Sequence, residues 1–483
     1  MSDYRIAPQK TSSLPTGIGF IIGNEAAERF SFYGMRSVLL AYMTIYLVQP
    51  NGESKVFNEK EAEAWVHLFV GSAYFFPLIG GILADAYWGK YRTILSLSLF
   101  YCLGHGCLAL MGMVGDTRGW LCVGLILIAV GSGGIKPCVS SHVGDQFNKL
   151  NNHLLTKVFG WFYFSINTGA FLSGLLTPFL LQTTRQVGTL GERVYPFVES
   201  WVGEKSLHEP IFGPHYAFGL PGVLMAMATL IFWLGRKQFA HIPPRGTIYF
   251  KETFSGENLR AILRLCSIFA FVVVFWALFD QIGTLWQIQA RSLDRVLPQW
   301  VPLIGGSEML AAQVSAIWNP LFILLLIPIF SYLIYPFASK FVKVTPLRKI
   351  GFGLWIMGFS FTLVSILQER IDLGDSPNMG WQILACLLLT VSEVLVSITC
   401  LEFAYTQAPK EMKSFVMAIF LLTVSLGNYF TSAVKFFIIN EDGSSKLPGA
   451  SEFWFWTILV FIAAIFFIRV SKNYEVKEYL QEV

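Results

Sequence analysis

The sequence predicts an all-α integral membrane protein of twelve transmembrane helices in two six-helix bundles, and three observations predict it. The first is composition: 54% of the 483 residues are hydrophobic and 14% are charged, with a mean hydropathy of +0.55, whereas soluble domains carry about 25% charge. The second is the recurrence of apolar windows of about 20 residues, each long enough to cross ~30 Å of hydrocarbon. The third is a polar connection, "AHIPPRGTIYFKETFSGEN" at 240–258, that divides those windows six and six. The short alternating segments of a transmembrane β-barrel do not occur in the sequence.

In chain order the windows fall at 17–48, 62–88, 91–114, 119–142, 153–183 and 214–240, then at 258–290, 310–340, 346–370, 379–407, 413–438 and 450–471. Several are long enough to require tilting or continuation outside the lipid. The bundles are therefore expected at 1–240 and 258–483, joined by a cytoplasmic linker at 241–257. Positive charge sets the orientation. With the N-terminus inside, inner loops and tails hold 21 Lys and Arg, outer loops hold 11, and three lie within helices. Both termini are thus expected in the cytoplasm, and the net charge of +4 reports topology rather than a nucleic-acid partner. Residues 1–16 are polar, so no cleavable signal sequence is expected before the first helix. The seven cysteines lie mostly inside apolar spans without metal-ligand or disulfide spacing, and read as packing residues. The longest outer loop, at 184–213, is given no role.

The two-bundle pattern suggests major-facilitator architecture, with a central cavity open alternately to each side. "GGILADAYWGKYRT" at 80–93 is close to the motif that fills the cytoplasmic turn between helices 2 and 3 of that superfamily. Asp85 and Lys90 accordingly read as parts of a structural turn, not of a substrate site.

The first span is unusual: "GNEAAERFSFYGMRSVLL" at 23–40 carries Glu25, Glu28, Arg29 and Arg36. A charge at the bilayer centre costs about 2.5–3.5 kcal/mol on insertion scales, so such residues face a cavity or a partner. At 3.6 residues per turn, Glu25, Arg29, Phe32 and Arg36 fall within about 60° of one another, with Tyr33 and Glu28 on the flanks. Other spans add His67 and Tyr74 (second), Lys136 (fourth), Asn167 (fifth), Asp280 (seventh), Asn319 (eighth), and Glu393 with Glu402 (tenth). Taken singly, the amides suit interhelical hydrogen bonding and Trp276 and Trp286 suit packing or interfacial anchoring. Taken together, they imply a polar cavity where the bundles meet. Cations from the first bundle (Arg29, Arg36, Lys136) and a carboxylate from the second (Glu402) complement a zwitterion with separated charges. Tyr33, Tyr74 and Trp276 supply amphipathic walls, and the acids and His67 can exchange protons. These residues alone leave amino acids and peptides equally open as substrates.

"EAAERFSFYG" resembles the E-x-x-E-R-F-x-x-Y-G signature of the proton-coupled oligopeptide transporters. "FYFSINTGA" resembles a second signature of that family, and "LEFAYTQAP" with "MKSFVMAIFLLTVSLGN" a third. "GSGGIKPCVSSHVGDQF" and "FWALFDQIGTLWQIQA" are also similar to family segments, in the family's order. The resemblance implies a proton-driven importer of di- and tripeptides, acting by alternating access as a monomer in the lipid bilayer, with no cofactor beyond the proton gradient. Arg36 and Lys136 would hold the peptide carboxylate, supported by Arg29, and Glu402 would meet the amino terminus, helped by Asn167 and Asn319. Tyr33, Tyr74 and Trp276 would line the site. Glu25, Glu28 and Glu402 would share protons and ion pairs with Arg29 and Lys136, while His67 and Asp280, near Arg36, would form a proton-sensitive outer latch.

Three residues depart from the family pattern. Phe32 stands where Tyr is common, which would remove a hydroxyl from the pocket; Phe420 stands where Trp is common, and Ser331 replaces an acid of animal members. The middle connection is too short for the two extra helices of bacterial members, and no large outer domain separates spans nine and ten as in mammalian ones. A bacterial inner membrane is the expected location, with a eukaryotic plasma membrane as the alternative. The competing function is a nitrate or organic-anion carrier of the same fold, which a carboxylate in the cavity disfavours. An enzyme is not expected, since no nucleophile–base pair or metal-ligand spacing occurs.

Overall fold

The computed structural model describes residues 4–181, 213–253, 256–301, 305–407 and 413–475. The 184–213 loop therefore falls, except for Gly213, outside the described residues.

The N-terminal half contains α1 (Ile18–Ala41), α2 (Glu59–Ile82), α3 (Lys90–Ala109), α4 (Thr117–Gly144), α5 (Leu155–Leu181) and α6 (Pro214–Leu234). After a short helix at Ile248–Thr253, the C-terminal half contains α7 (Gly256–Phe279), α8 (Trp318–Ile329), α9 (Pro346–Asp372), α10 (Gly380–Glu393), α11 (Lys413–Ile438) and α12 (Ala450–Lys472). Among the described residues, ten helical segments are long and apolar enough to cross a membrane. The spans expected at 17–48 and 91–114 are also helical, but α1 and α3 are too polar to qualify by composition. Their polarity lies in the charges of α1 and in the basic start of α3. The protein is thus a multi-pass membrane protein.

Burial divides into two main cores. One gathers residues from Ile18 to Phe239, the other residues from Ile262 to Phe467. Trp286, a candidate interfacial anchor, is fully buried in the second core against Phe361, with ring centroids 5.5 Å apart.

Helices alternate in direction, so the connections fall at two ends. The near end carries the turns at 83–89, 235–247 and 339–345; the far end carries those at 47–58, 291–310 and 439–449. At the near end Gly89, with φ of +77°, turns the chain from α2 into α3, a conformation other residues adopt only under strain. There Lys90 pairs with Asp145 at 2.8 Å and the Asp85 carbonyl accepts from the Arg245 amide at 2.8 Å, both remote from the central cavity.

Two details place the functional side chains. α2 and α4 cross almost backbone to backbone: a Cβ on Gly80 would stand 2.0 Å from the Gly133 carbonyl oxygen. This contact, which only small residues allow, brings Lys136 beside α1 and α2. Directly after α10 the helix widens at Val394–Ile398 to the i→i+5 pattern, immediately after Glu393. Such wide turns concentrate at functional positions because they re-aim the side chains around them.

Candidate functional site: a charged cavity between the two halves

A cavity of about 300 Å³ opens between the two cores, at the lower end of the range for small-molecule sites. Arg29, Tyr33 and Arg36 reach it from α1, Tyr74 from α2, Lys136 from α4 and Asn167 from α5. Trp276, Asp280, Asn319 and Glu393 face them from the C-terminal half. The structure thus brings together eight of the nine residues expected to bind substrate.

The ninth, Glu402, is elsewhere. Its side chain is 64% exposed and lies 3.8 Å from Lys349, at the near end of the molecule. The carboxylate in the cavity is Glu393, whose Oε2 accepts from Asn319 Nδ2 at 2.8 Å. Helical geometry explains the correction. Nine helical residues separate the two by roughly 10–13 Å along the axis, two turns or more toward the near end. Glu393 sits near the middle of the span Gly380–Ala404, whereas Glu402 lies two residues from its end. Depth was legible in the sequence and favours Glu393.

The first-span charges form a compensated cluster. Arg29 Nε lies 2.7 Å from Glu25 Oε1 and 3.3 Å from Glu28 Oε2, and Lys136 Nζ lies 3.2 Å from Glu28 Oε1. Glu25 and Glu28 are buried; Arg29 and Lys136 reach the cavity with their charges. Lys136 Nζ also stands 3.6 Å from the Phe32 ring centroid and 5.2 Å from that of Tyr74, so both rings support the ammonium. Phe32 is fully buried and does not line the cavity, so its missing hydroxyl leaves the pocket wall unchanged. Phe420 does line it; Ser331 is exposed in a wide turn after α8.

The outer-latch residues meet through an intermediary. Arg36 Nη2 pairs with Asp280 Oδ1 at 2.5 Å, but His67 does not touch Asp280. Asn428 on α11 stands between them. Its Nδ2 donates to Asp280 Oδ2 at 2.5 Å and to the Val424 carbonyl at 2.9 Å, which turns its Oδ1 toward His67 Nδ1 at 2.8 Å. Because that oxygen only accepts, Nδ1 carries the hydrogen, and Nε2 faces the Thr284 hydroxyl at 2.9 Å. In neutral His67, Nε2 therefore accepts from Thr284; on protonation it donates, and the hydroxyl must turn away. Asn428 and Thr284 both lie inside stretches that resemble family segments, yet neither spacing nor charge marks them, because a neutral relay has no sequence signature. Tyr163, also on the cavity wall, was missed for the same reason.

A sequence profile described as the POT family matches residues 91–256 and 248–447. The chain belongs to the POT family. It is 34% identical to peptide transporter family 1 of Drosophila melanogaster over 77% of this chain and 50% of that one. It is 31% identical to human solute carrier family 15 member 2, over 80% of this chain and 54% of the relative. The chain thus spans about half the length of these relatives. Among solved structures, it superimposes on the POT family transporter PepTSo with a TM-score of 0.79 at 33% identity, covering 96% of this chain and 99% of that one. A proton dependent oligopeptide (POT) family transporter matches with a TM-score of 0.69 at 34% identity, over 93% and 100%. The major-facilitator fold expected from the sequence is the fold it shares with them.

Proposed function

We propose that this POT-family chain is a proton-coupled symporter that imports di- and tripeptides across the cell membrane by alternating access, as a monomer and without a cofactor. The observation that carries this reading is the imbalance of the cavity. Arg29, Arg36 and Lys136 stand on one wall, each beside a carboxylate of its own. Opposite them Glu393 makes no ion pair with any basic side chain among the described residues. A half-buried carboxylate on a cavity wall, held by one amide, is incompletely compensated, and an ammonium is the group that completes it. The names of the relatives support peptides as the source of that ammonium. A nitrate or organic anion would bring a second negative charge to Glu393.

In this reading the peptide carboxylate meets Lys136, Arg36 and Arg29, and the amino terminus meets Glu393, with Asn319 holding the acid. Asn167, Tyr33, Tyr74 and Trp276 bound the space between. The two halves are proposed to act as separate bodies, at 1–240 and 258–483, moving about the linker. Coupling follows from competition: Glu25 and Glu28 occupy the cations a peptide carboxylate needs. Protons on those glutamates free Lys136 and Arg29 for substrate. His67 and Asp280 are proposed to add the far-end proton response through Asn428.

With the orientation set by positive charge, the far end faces outward and is the closed end. The inter-half hydrogen bonds Arg36–Asp280, Gln287–Ser37, Ser432–Ala64, Asn58–Gly443 and Arg291–Thr44 all lie between mid-height and that end. Inward-facing is therefore the state proposed for this conformation.

Uptake of a labelled dipeptide into proteoliposomes, driven by an imposed inside-alkaline gradient and collapsed by a protonophore, is the expected result. Gradient-driven nitrate uptake without peptide uptake would replace this reading. A second prediction isolates the relay. Asn428→Ala removes the bridge between His67 and Asp280 without changing any charge, so gradient-driven accumulation should fall about tenfold, for roughly 1.4 kcal/mol of lost coupling, while peptide counterflow persists. Equal loss of both activities would make Asn428 a packing residue only.

A further inference from the structure

A second buried charge cluster lies at the far end, outside the cavity. Lys435 on α11 and Glu63 on α2 are fully buried, and Glu452 on α12 is 1% exposed. Lys435 Nζ contacts both Glu63 Oε2 and Glu452 Oε1. Lys60, on the first turn of α2, closes the ring: its Nζ lies 2.6 Å from Glu452 Oε2 and 3.5 Å from Glu63 Oε1. Four charges from three helices therefore alternate in sign around one site.

The division of these charges between the halves is informative. Lys60 and Glu63 belong to α2, three residues apart; Lys435 and Glu452 belong to α11 and α12. Each half thus carries one cation and one anion that already touch. If the far end opens, the cross-contacts Lys60–Glu452 and Lys435–Glu63 break, but neither half is left with an orphan charge. Arg36–Asp280 differs, because its cation and anion sit on opposite halves and opening separates them. An unpaired charge in a low-dielectric surrounding costs several kcal/mol, whereas a retained pair costs far less.

We propose that Lys60, Glu63, Lys435 and Glu452 form a charge-balanced latch that holds the far end closed and releases by exchanging partners, without taking up a proton. The proposal rests on the alternating-access reading above and adds a second, proton-independent component to the closure. The titratable and charged groups around the ring are Glu61 on the same first turn, Glu59 paired with Arg291 at 2.7 Å on the rim, and His67 one turn deeper on α2. Beyond His67 lie Asn428 and the Arg36–Asp280 pair, where the proton response belongs.

The test reads conformation rather than transport, so its failure is distinct from failure of the peptide reading. Spin labels on cysteines introduced at the exposed far-end positions Asn51 and Glu441, with exposed Cys122 and Cys266 replaced by serine, report the gap between the halves in nanodiscs. Glu63→Gln leaves two lysines around one carboxylate and should raise the far-end-open fraction about tenfold. That rise should be the same at about pH 5.5 and about pH 8, since a latch that releases by exchanging partners takes up no proton. The charge-balanced double variant Glu63→Gln/Lys435→Gln keeps only Lys60 and Glu452, one on each half. It should be more closed than Glu63→Gln, and at least as closed as the unmutated protein. An unchanged distance distribution in Glu63→Gln would overturn the proposal. So would a difference that vanishes at the acid end, which would make Glu63 a proton site. Should Glu63→Gln fail to fold, the double variant decides: a far end more open than in the unmutated protein sinks the latch.

Discussion

Lys136→Ala should abolish gradient-driven dipeptide uptake in proteoliposomes, with a fall of at least about thirtyfold. Lys136 Nζ lies 3.2 Å from Glu28 in a buried site, and removing one partner of such a pair costs about 2–5 kcal/mol, of which 2 kcal/mol already corresponds to that factor. Two losses combine. The peptide carboxylate loses a cation on the cavity wall, and Glu28 keeps only Arg29, 3.3 Å away. With one cation in place of two, the proton exchange between Glu28 and its partners is disturbed, so the variant should lose coupling first. Counterflow, which moves no net proton, should survive better than accumulation. Glu28→Gln/Lys136→Ala tests this order, because it removes the carboxylate that the single variant strands. The double variant should bind peptide at least as well as Lys136→Ala and still fail to accumulate it. Full accumulation by Lys136→Ala would remove Lys136 from both roles.

What could be read from the sequence follows from which forces leave periodic marks. The helices were legible because lipid imposes a minimum apolar length, and even α1, with four charges, kept its helix because they cluster on one stripe. Arg29, Arg36, Lys136 and Asp280 were legible because charge inside an apolar span is costly and so is rarely accidental. Two features of the site were less legible, for physical reasons. Charge type alone does not separate Glu402 from Glu393; depth in the span does, and the wide turn at Val394–Ile398 between them leaves no periodic mark in the sequence. His67 and Asp280 were legible as neighbours, but the structure interposes Asn428, a neutral residue indistinguishable in sequence from interhelical glue. The Lys60–Glu63–Lys435–Glu452 ring was missed for another reason: all four lie near span ends, where charge is ordinary. Only packing shows that three of them are removed from water.

The correction from Glu402 to Glu393 yields the most discriminating experiment. Glu393→Gln preserves volume, and its amide oxygen can still accept from Asn319 Nδ2, now at 2.8 Å from the acid. The variant therefore changes charge while keeping the wall of the cavity. If Glu393 meets the peptide ammonium, a charge-assisted contact is lost, and affinity for free dipeptides should fall about thirtyfold to a thousandfold, for roughly 2–4 kcal/mol. N-acetylated dipeptides lack the ammonium and should compete poorly with the unmutated protein. Their affinity should change little in Glu393→Gln, so the preference for free over blocked peptides collapses toward unity in that variant. Glu402→Gln provides the control at the other end of the same helical span. Its side chain is 64% exposed and 3.8 Å from Lys349, and exposed pairs contribute only about 0–1 kcal/mol. Binding and uptake by Glu402→Gln should therefore stay within a few-fold of the unmutated protein. The reverse pattern, with Glu402→Gln impaired and Glu393→Gln intact, would return the amine site to Glu402 and require a conformation in which the near end of α10 turns inward. Equal competition by blocked and free peptides in the unmutated protein would remove the amine contact altogether, leaving the cation wall as the only electrostatic handle on the substrate.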